Sequence, residues 1–256
     1  MRQGELLDSR GVRVRGCCRR RTDSVVYSGA MKRITWVLGL LACSASLWGQ
    51  SADVSMDGEP HHRRLTYIRH MRAFEANLAP GESTIDYRDD HDVATLALGD
   101  GTIRLRRAGE DWSAARMRAR GSTELTTYTG SPVVHRIENA GTIPFRMFAV
   151  ENLHDGGWST PPVIVAPGTT LREQARSFAV YDVRLNAGTP RTIHLHVNAT
   201  LVVLMAGAVQ AQGGGGEAEF RLEQPGRWFP TSGTDQPHTL AVVGTGEAHI
   251  VCIEAL

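Results

Sequence analysis

Cysteine is scarce in this chain. Of four in 256 residues, Cys17, Cys18 and Cys43 stand near the beginning and only Cys252 lies in the body. No internal disulfide can therefore brace the main part of the protein. Cys252 sits in the apolar, strand-like run Ala248-His249-Ile250-Val251-Cys252-Ile253, a setting for a buried inert thiol rather than a nucleophile. An excess of one charge is missing as well. The net charge is +1 with both signs mixed along the chain, so there is no basic field to hold nucleic acid. Long apolar runs are also few: the one candidate, Ile34 to Ala42, falls short of the roughly 20 residues a membrane span needs. No span is expected in the mature protein. Ser131, Ser159 and Ser232 lack the Gly-x-Ser-x-Gly context of a hydrolase nucleophile. The stretch Gln212-Gly213-Gly214-Gly215-Gly216-Glu217 is a flexible turn without the Gly-Lys-Ser/Thr ending of a phosphate loop. What remains is a chain of 41% hydrophobic residues, long enough for one large domain or two small ones.

Met31-Lys32-Arg33, the apolar stretch Ile34 to Ala42 and the small residues Ser44, Ala45, Ser46 and Gly49 form the parts of a secretory signal peptide. Because such a peptide begins at the initiator, Met31 reads as the start, residues 1–30 as an upstream mis-start and 31–50 as the signal, with cleavage near Gly49 to Ala52. A secreted or periplasmic protein is the expectation. Leu40-Leu41-Ala42-Cys43 also resembles a bacterial lipobox, in which Cys43 would carry a lipid, and the two forms of processing stay open. Residues 51–63 read as a flexible mature N-terminus, with His61 and His62 on the surface beside Arg63 and Arg64.

An internal repeat organises the rest. Leu78-Ala79-Pro80-Gly81 through Asp89 matches Leu185-Asn186-Ala187-Gly188 through His196 at one offset, which aligns Tyr87 with His194 and Asp89 with His196. A second block aligns His135 with His238 and Glu151 with Glu254. Each repeat reads as short strands between turns. Val93 to Leu98 ends at Gly99-Asp100-Gly101 before Thr102 to Leu105, the signature of a hairpin with Asp-Gly at its turn, and Leu201 to Met205 ends at Ala206-Gly207 in the same place. Helical periodicity is weak apart from a short stretch at Leu171 to Ser177, and residues 154–171 have the composition of a linker.

The second repeat carries the chemistry. His194 and His196 flank Leu195 in a strand-like run, so alternation aims both imidazoles at one face. A third imidazole follows at His238. Three such donors with open positions suit zinc, copper, iron or nickel and leave room for water, oxygen or substrate.

These residues resemble the cupin superfamily. Gly188, His194-Leu195-His196, Thr200 and Gly207 follow the first cupin motif, and Pro225-Gly226 through Pro237-His238 follows the second loosely. The resemblance covers about residues 64–256 and implies an all-β protein of two tandem cupin barrels, jelly rolls of the double-stranded β-helix type. Residues 64–153 would form the first barrel and 172–256 the second. By the same resemblance His194, His196 and His238 are the metal ligands of the second barrel. Thr200 stands where the family has glutamate, and Val242 where it has asparagine. Three-histidine sites without glutamate occur among cupin-like iron dioxygenases, so a divalent metal remains the expectation: iron first, then manganese, nickel, copper or zinc. Thr200, Trp228 and Met205 are the candidates for lining the site.

In the first barrel the equivalent set is Tyr87, Asp89 and His135, with Val93 at the glutamate position. A phenol is a poor ligand at neutral pH, so this site reads as degenerate, and Asp86, Asp90, His91 and Asp92 read as a solvated acidic turn. Two functions follow. One is a metal-dependent enzyme, such as an oxygenase, acting on a small molecule; the other is a non-catalytic periplasmic module that binds a small ligand or a protein. The resemblance also implies a homodimer.

Overall fold

The computed structural model describes residues 54–154, 166–188, the backbone of 192–194, and residues 196–212, 219–233 and 238–256. The leader, signal segment and lipobox lie outside the described residues, as do most of the linker and the glycine run at 213–216.

The first half holds β1 (Val54–Ser55), β2 (His62–Ile68), β3 (Met71–Leu78), β4 (Tyr87–Asp89), β5 (Asp92–Ala97), β6 (Gly101–Arg107), β7 (Arg116–Arg118), β8 (Thr123–Thr126), β9 (Val133–Asn139) and β10 (Phe145–Asn152). The second holds β11 (Thr169–Gln174), β12 (Phe178–Asn186), β13 (Thr192–His194), β14 (Thr200–Ala206), β15 (Val209–Gln212), β16 (Glu219–Leu222), β17 (Trp228–Thr231), β18 (His238–Val242) and β19 (Glu247–Ala255). Sheet order is β2-β3-β10-β5-β8 over β1-β4-β9-β6-β7 in the first half, and β11-β12-β19-β14-β17 over β13-β18-β15-β16 in the second. Each strand from β2 to β10 thus has a counterpart nine strands later in the same place. The repeat read from sequence is a repeated jelly roll, and the protein is two tandem barrels.

Side-chain alternation divides the apolar residues among three cores. One fills the first barrel (Phe74, Tyr87, Ile103, Phe145, Met147) and one the second (Val183, Val202, Leu204, Leu240, Ile250). The third joins the barrels: Met71, Phe148 and Val150 from one face meet Phe178, Leu201, Val251 and Ile253 from the other. Strands β10 and β19 are central and lose both faces to apolar packing, hence their nearly unbroken burial.

Five local expectations change. The Asp-Gly turn after β5 does not close a hairpin, because β5 pairs with β10 and β8 while β6 pairs with β9 and β7. The turn is a corner that carries the chain from one sheet to the other, and Ala206-Gly207 does the same between β14 and β15. Gly207 has φ +74°, and a Cβ there would stand 2.2 Å from the Glu247 carbonyl oxygen. Of the helical stretch at Leu171 to Ser177, Leu171 to Gln174 belong to edge strand β11, where a bulge between Leu171 and Glu173 breaks the period of two, and Ala175 to Ser177 bend into β12; Leu171 is exposed. Thr169 to Leu171, assigned to the linker, therefore pairs within the second barrel. The flexible N-terminus is also structured in part: Met56 is buried in the first core, and β1 adds to β4. His62 is buried rather than on the surface, since Glu59 binds it at 2.7 Å through Nδ1 and binds His61 at 2.8 Å.

Two outcomes are expected. Gly207→Ala meets both the left-handed backbone and the Glu247 carbonyl, and should cost about 2 kcal/mol or more in urea unfolding. Gly188→Ala, at φ +80° with open space around it, should cost about 1 kcal/mol. For pH, burial would raise the Glu59 carboxyl, but hydrogen bonds from His62 and His61 outweigh it and hold the group at about 2 rather than 4.5. Its stabilisation is complete above pH 4.5 and fades as pH falls towards 2. Burial pulls His61 down, but the hydrogen bonds to Glu59 and Glu82 outweigh it and lift the imidazole above 6.5, so its contribution is complete below that pH and fades as pH rises past the lifted value. Unfolding midpoints measured across pH should lose the acid-side slope in Glu59→Gln.

Candidate functional site

Two strands that differ widely in sequence position bring the histidines together. β13 pairs antiparallel with β18 so that His194 stands opposite His238. The side chain of His194 lies outside the described residues. His196 follows β13 and is 1% exposed; its ring stacks on that of His238 at 5.1 Å between centroids with 10° between planes. Phe229 of β17 meets the His238 ring edge-on at 5.6 Å. Thr200, the first residue of β14, is fully buried on the same inward face, where its hydroxyl donates to the Asn198 carbonyl at 3.0 Å.

Directly across from Thr200 in the sheet is Glu254 of β19. It is 0% exposed. Its Oε1 accepts from the Asn198 backbone N–H at 3.0 Å and from Asn198 Nδ2 at 3.2 Å, while Oε2 lies 3.8 Å from His196 Nδ1. Among the described residues, neither ring nitrogen of His196 has a hydrogen-bond partner, nor has Oε2 of Glu254. Burial, then the charge of Glu254, pushes the Tyr181 phenol up, so it stays protonated beside that carboxylate. Buried polar atoms without partners are unfavourable, and a divalent cation is one group that would satisfy imidazole and carboxylate together. The donor set therefore fits a metal. Among the described residues, which exclude the His194 side chain, no three acidic, histidine or cysteine groups converge on one point. Cys252, buried in the same core, is pushed far up by burial and is inert.

Two lining candidates fall elsewhere. Met205 packs in the core between the barrels, and its carbonyl accepts from Arg120 Nη2. Trp228 packs against the same core and lines an outer groove with Arg63, Leu65, Arg146 and Arg227. The reason is strand parity: Phe229, one residue on, takes the inward face and supplies the aromatic wall.

The first barrel repeats the layout with different groups. Tyr87 stands opposite His135, as His194 stands opposite His238. Its ring packs at 4.7 Å from the imidazole, and Tyr128 adds a second phenol at 5.8 Å. His135 Nε2 lies 2.9 Å from Asp89 Oδ2, an ion-pair distance off the line of a hydrogen bond, and Oδ1 has no partner. Burial first, then the charge of Asp89, pushes both phenols up, so both stay protonated at neutral pH. Of the neighbouring acids, Asp86 pairs with Arg136, and Asp92 is buried, accepting from the Tyr128 and Thr129 backbones. Asp92 is therefore no part of a solvated turn. A cavity of about 50 Å³ opens among Tyr87, Asp89, Tyr128, His135, Arg118 and Met147, enough for three or four waters at roughly 10–15 Å³ each. Glu151, opposite Val93 as Glu254 is opposite Thr200, pairs with Arg72 at 2.8 Å. Burial outweighs the arginine and, helped by Asp89, lifts this carboxyl to about 7.

Motif reasoning looked for the carboxylate at Thr200 and missed Glu254. The signal was in the repeat, whose second block aligns Glu151 with Glu254.

No family model matches the chain, and no curated protein matches it. Solved structures do. AerE from Microcystis aeruginosa is 11% identical with a TM-score of 0.56, over 77% of this chain and 98% of that one. Salicylate 1,2-dioxygenase from Pseudaminobacter salicylatoxidans is 14% identical with a TM-score of 0.55, over 75% of each chain. A structure of the dioxygenase with gentisate gives 15% and 0.57, over 80% of this chain and 76% of that one. At these identities the likeness concerns the fold.

Proposed function

From the bicupin fold of this chain and the unpartnered imidazole of its second barrel, we propose that the protein is an exported bicupin that binds a divalent metal through His194, His196 and His238 and acts as a metal-dependent oxygenase on a small molecule. The observation that carries this reading is His196, 1% exposed with neither ring nitrogen hydrogen-bonded among the described residues. Iron is the first choice of metal, and bound there it would supply a redox centre or a Lewis acid. The chain's own residues supply the rest. The stacked ring of His238 and the edge of Phe229 wall the site, and Leu240 and Val202, both buried, pack in the same barrel interior. Thr200 adds no charge, so the three imidazoles would form an uncharged ligand set, and the carboxylate beside it is that of Glu254, 3.8 Å from His196. Similarity to a salicylate 1,2-dioxygenase supports the oxygenase class. Export through the segment beginning at Met31 and a homodimer joined at barrel edges belong to the same reading.

A second reading has one observation of its own. The first-barrel cavity sets Asp89 Oδ1, an acceptor without a hydrogen-bond partner among the described residues, in a lining that mixes Ile103 and Met147 with Arg116, Arg118 and His135, which suits a small polar ligand that donates a hydrogen bond there.

Elemental mass spectrometry on protein expressed from Met31 should find about one equivalent of metal, lost in His194→Ala/His196→Ala. Metal-free protein in both samples would reject the metal reading. Thermal shifts separate the two readings: metal should stabilise the protein if the second barrel binds it, whereas stabilisation by small metabolites alone, abolished in Asp89→Asn, would favour the ligand module.

A further inference from the structure

The second barrel buries one carboxylate completely, that of Glu254, and among the described residues no arginine reaches it. The first barrel shows what the same strand position does otherwise. There Glu151, opposite Val93, is paired at 2.8 Å with the Arg72 guanidinium. A buried anion is strongly unfavourable unless a cation or several donors face it. Asn198 supplies two donors to Oε1 and the Tyr181 hydroxyl reaches the carboxylate, while Oε2 has no hydrogen-bond partner among the described residues and lies 3.8 Å from His196 Nδ1. That separation exceeds a hydrogen bond but is within ion-pair reach, and catalytic-site contacts often tighten only when the site is loaded.

We propose that Glu254 takes over from the carboxylate missing at Thr200, as a positioning residue: it receives the Nδ1–H of His196 on Oε2 and so leaves Nε2 as the atom that faces the metal. Ligating histidines commonly donate their other ring N–H to a carboxylate, which fixes tautomer and ring orientation. The register makes the substitution direct, because Thr200 and Glu254 are cross-strand partners on one inward face. A carboxylate one strand to the side of Thr200 thus serves as orienting group rather than as ligand. Its value to function rests on the metal-binding reading above; the tautomer it imposes does not.

Long-range proton–nitrogen NMR on the metal-free protein tests the tautomer without any variant. The Nδ1–H form of His196 is expected, and the Nε2–H form overturns the assignment. Cobalt(II) binding, followed by its visible absorption, then tests the role in wild type and Glu254→Gln. Glu254→Gln should bind about tenfold to a hundredfold more weakly, with the band positions unchanged because the ligand atoms are the same. Wild-type affinity in Glu254→Gln, or bands shifted by loss of an oxygen ligand, would overturn the positioning role. If Glu254→Gln does not fold, Glu254→Asp replaces it, with weaker binding expected from its shorter reach and wild-type affinity overturning the role. Absence of cobalt binding in wild type would defeat the metal reading itself, and that result is read before any Glu254 variant is made.

Discussion

Burial on both faces governs the two central strands, and most of the molecule follows from it. In β19, Val251, Ile253 and Ala255 enter the core between the barrels, while Ile250 and Cys252 enter the interior of the second barrel. β10 divides in the same way, with Phe148 and Val150 between the barrels and Met147 and Ala149 inside the first. Because side chains alternate strictly, one residue of slip would exchange the two sets. The joining core thus holds both barrels in register with themselves and with each other.

Against that apolar background each buried polar group stands out. Inside the first barrel, Asp89 sits beside His135 and Glu151 beside Arg72, so each acid has a basic neighbour. Inside the second, Glu254 and His196 face one another with unbonded atoms on both. Both interiors therefore keep unbonded polar atoms, on Asp89, His135, Arg72 and Glu151 in the first barrel and on His196 and Glu254 in the second, and they differ in which groups the same strands bring together. The phenols deepen the contrast: Tyr87 and Tyr128 fill the first site with protonated hydroxyls, while His238 and His196 line the second with nitrogen donors.

Much of this was legible in the chain. The offset between Gly81 and Gly188 marked the duplicated barrel, and the pair His194 and His196 with His238 marked its better-equipped half. Errors came where parity or pairing could not be seen. Trp228 and Met205 were assigned to the site by proximity to the motifs, yet each lies one position out of phase with the inward face. A bulge in β11 mimicked a helical spacing. Glu59 lies only three residues from His62, but its grip on His61 and His62 depends on a 3₁₀ turn that composition does not reveal.

Sequence by itself determined the repeat, the β-rich fold and the residue types available for chemistry, because periodicity and motif spacing are local properties of the chain. Tertiary structure alone decided which partner each buried group has. Thr200 and Glu254 are 54 positions apart yet directly opposite, and Val93 and Glu151 are 58 apart in the same relation. Such pairs form only when a central strand is laid between two others, and the register that aligns them is set by the apolar packing on both of its faces.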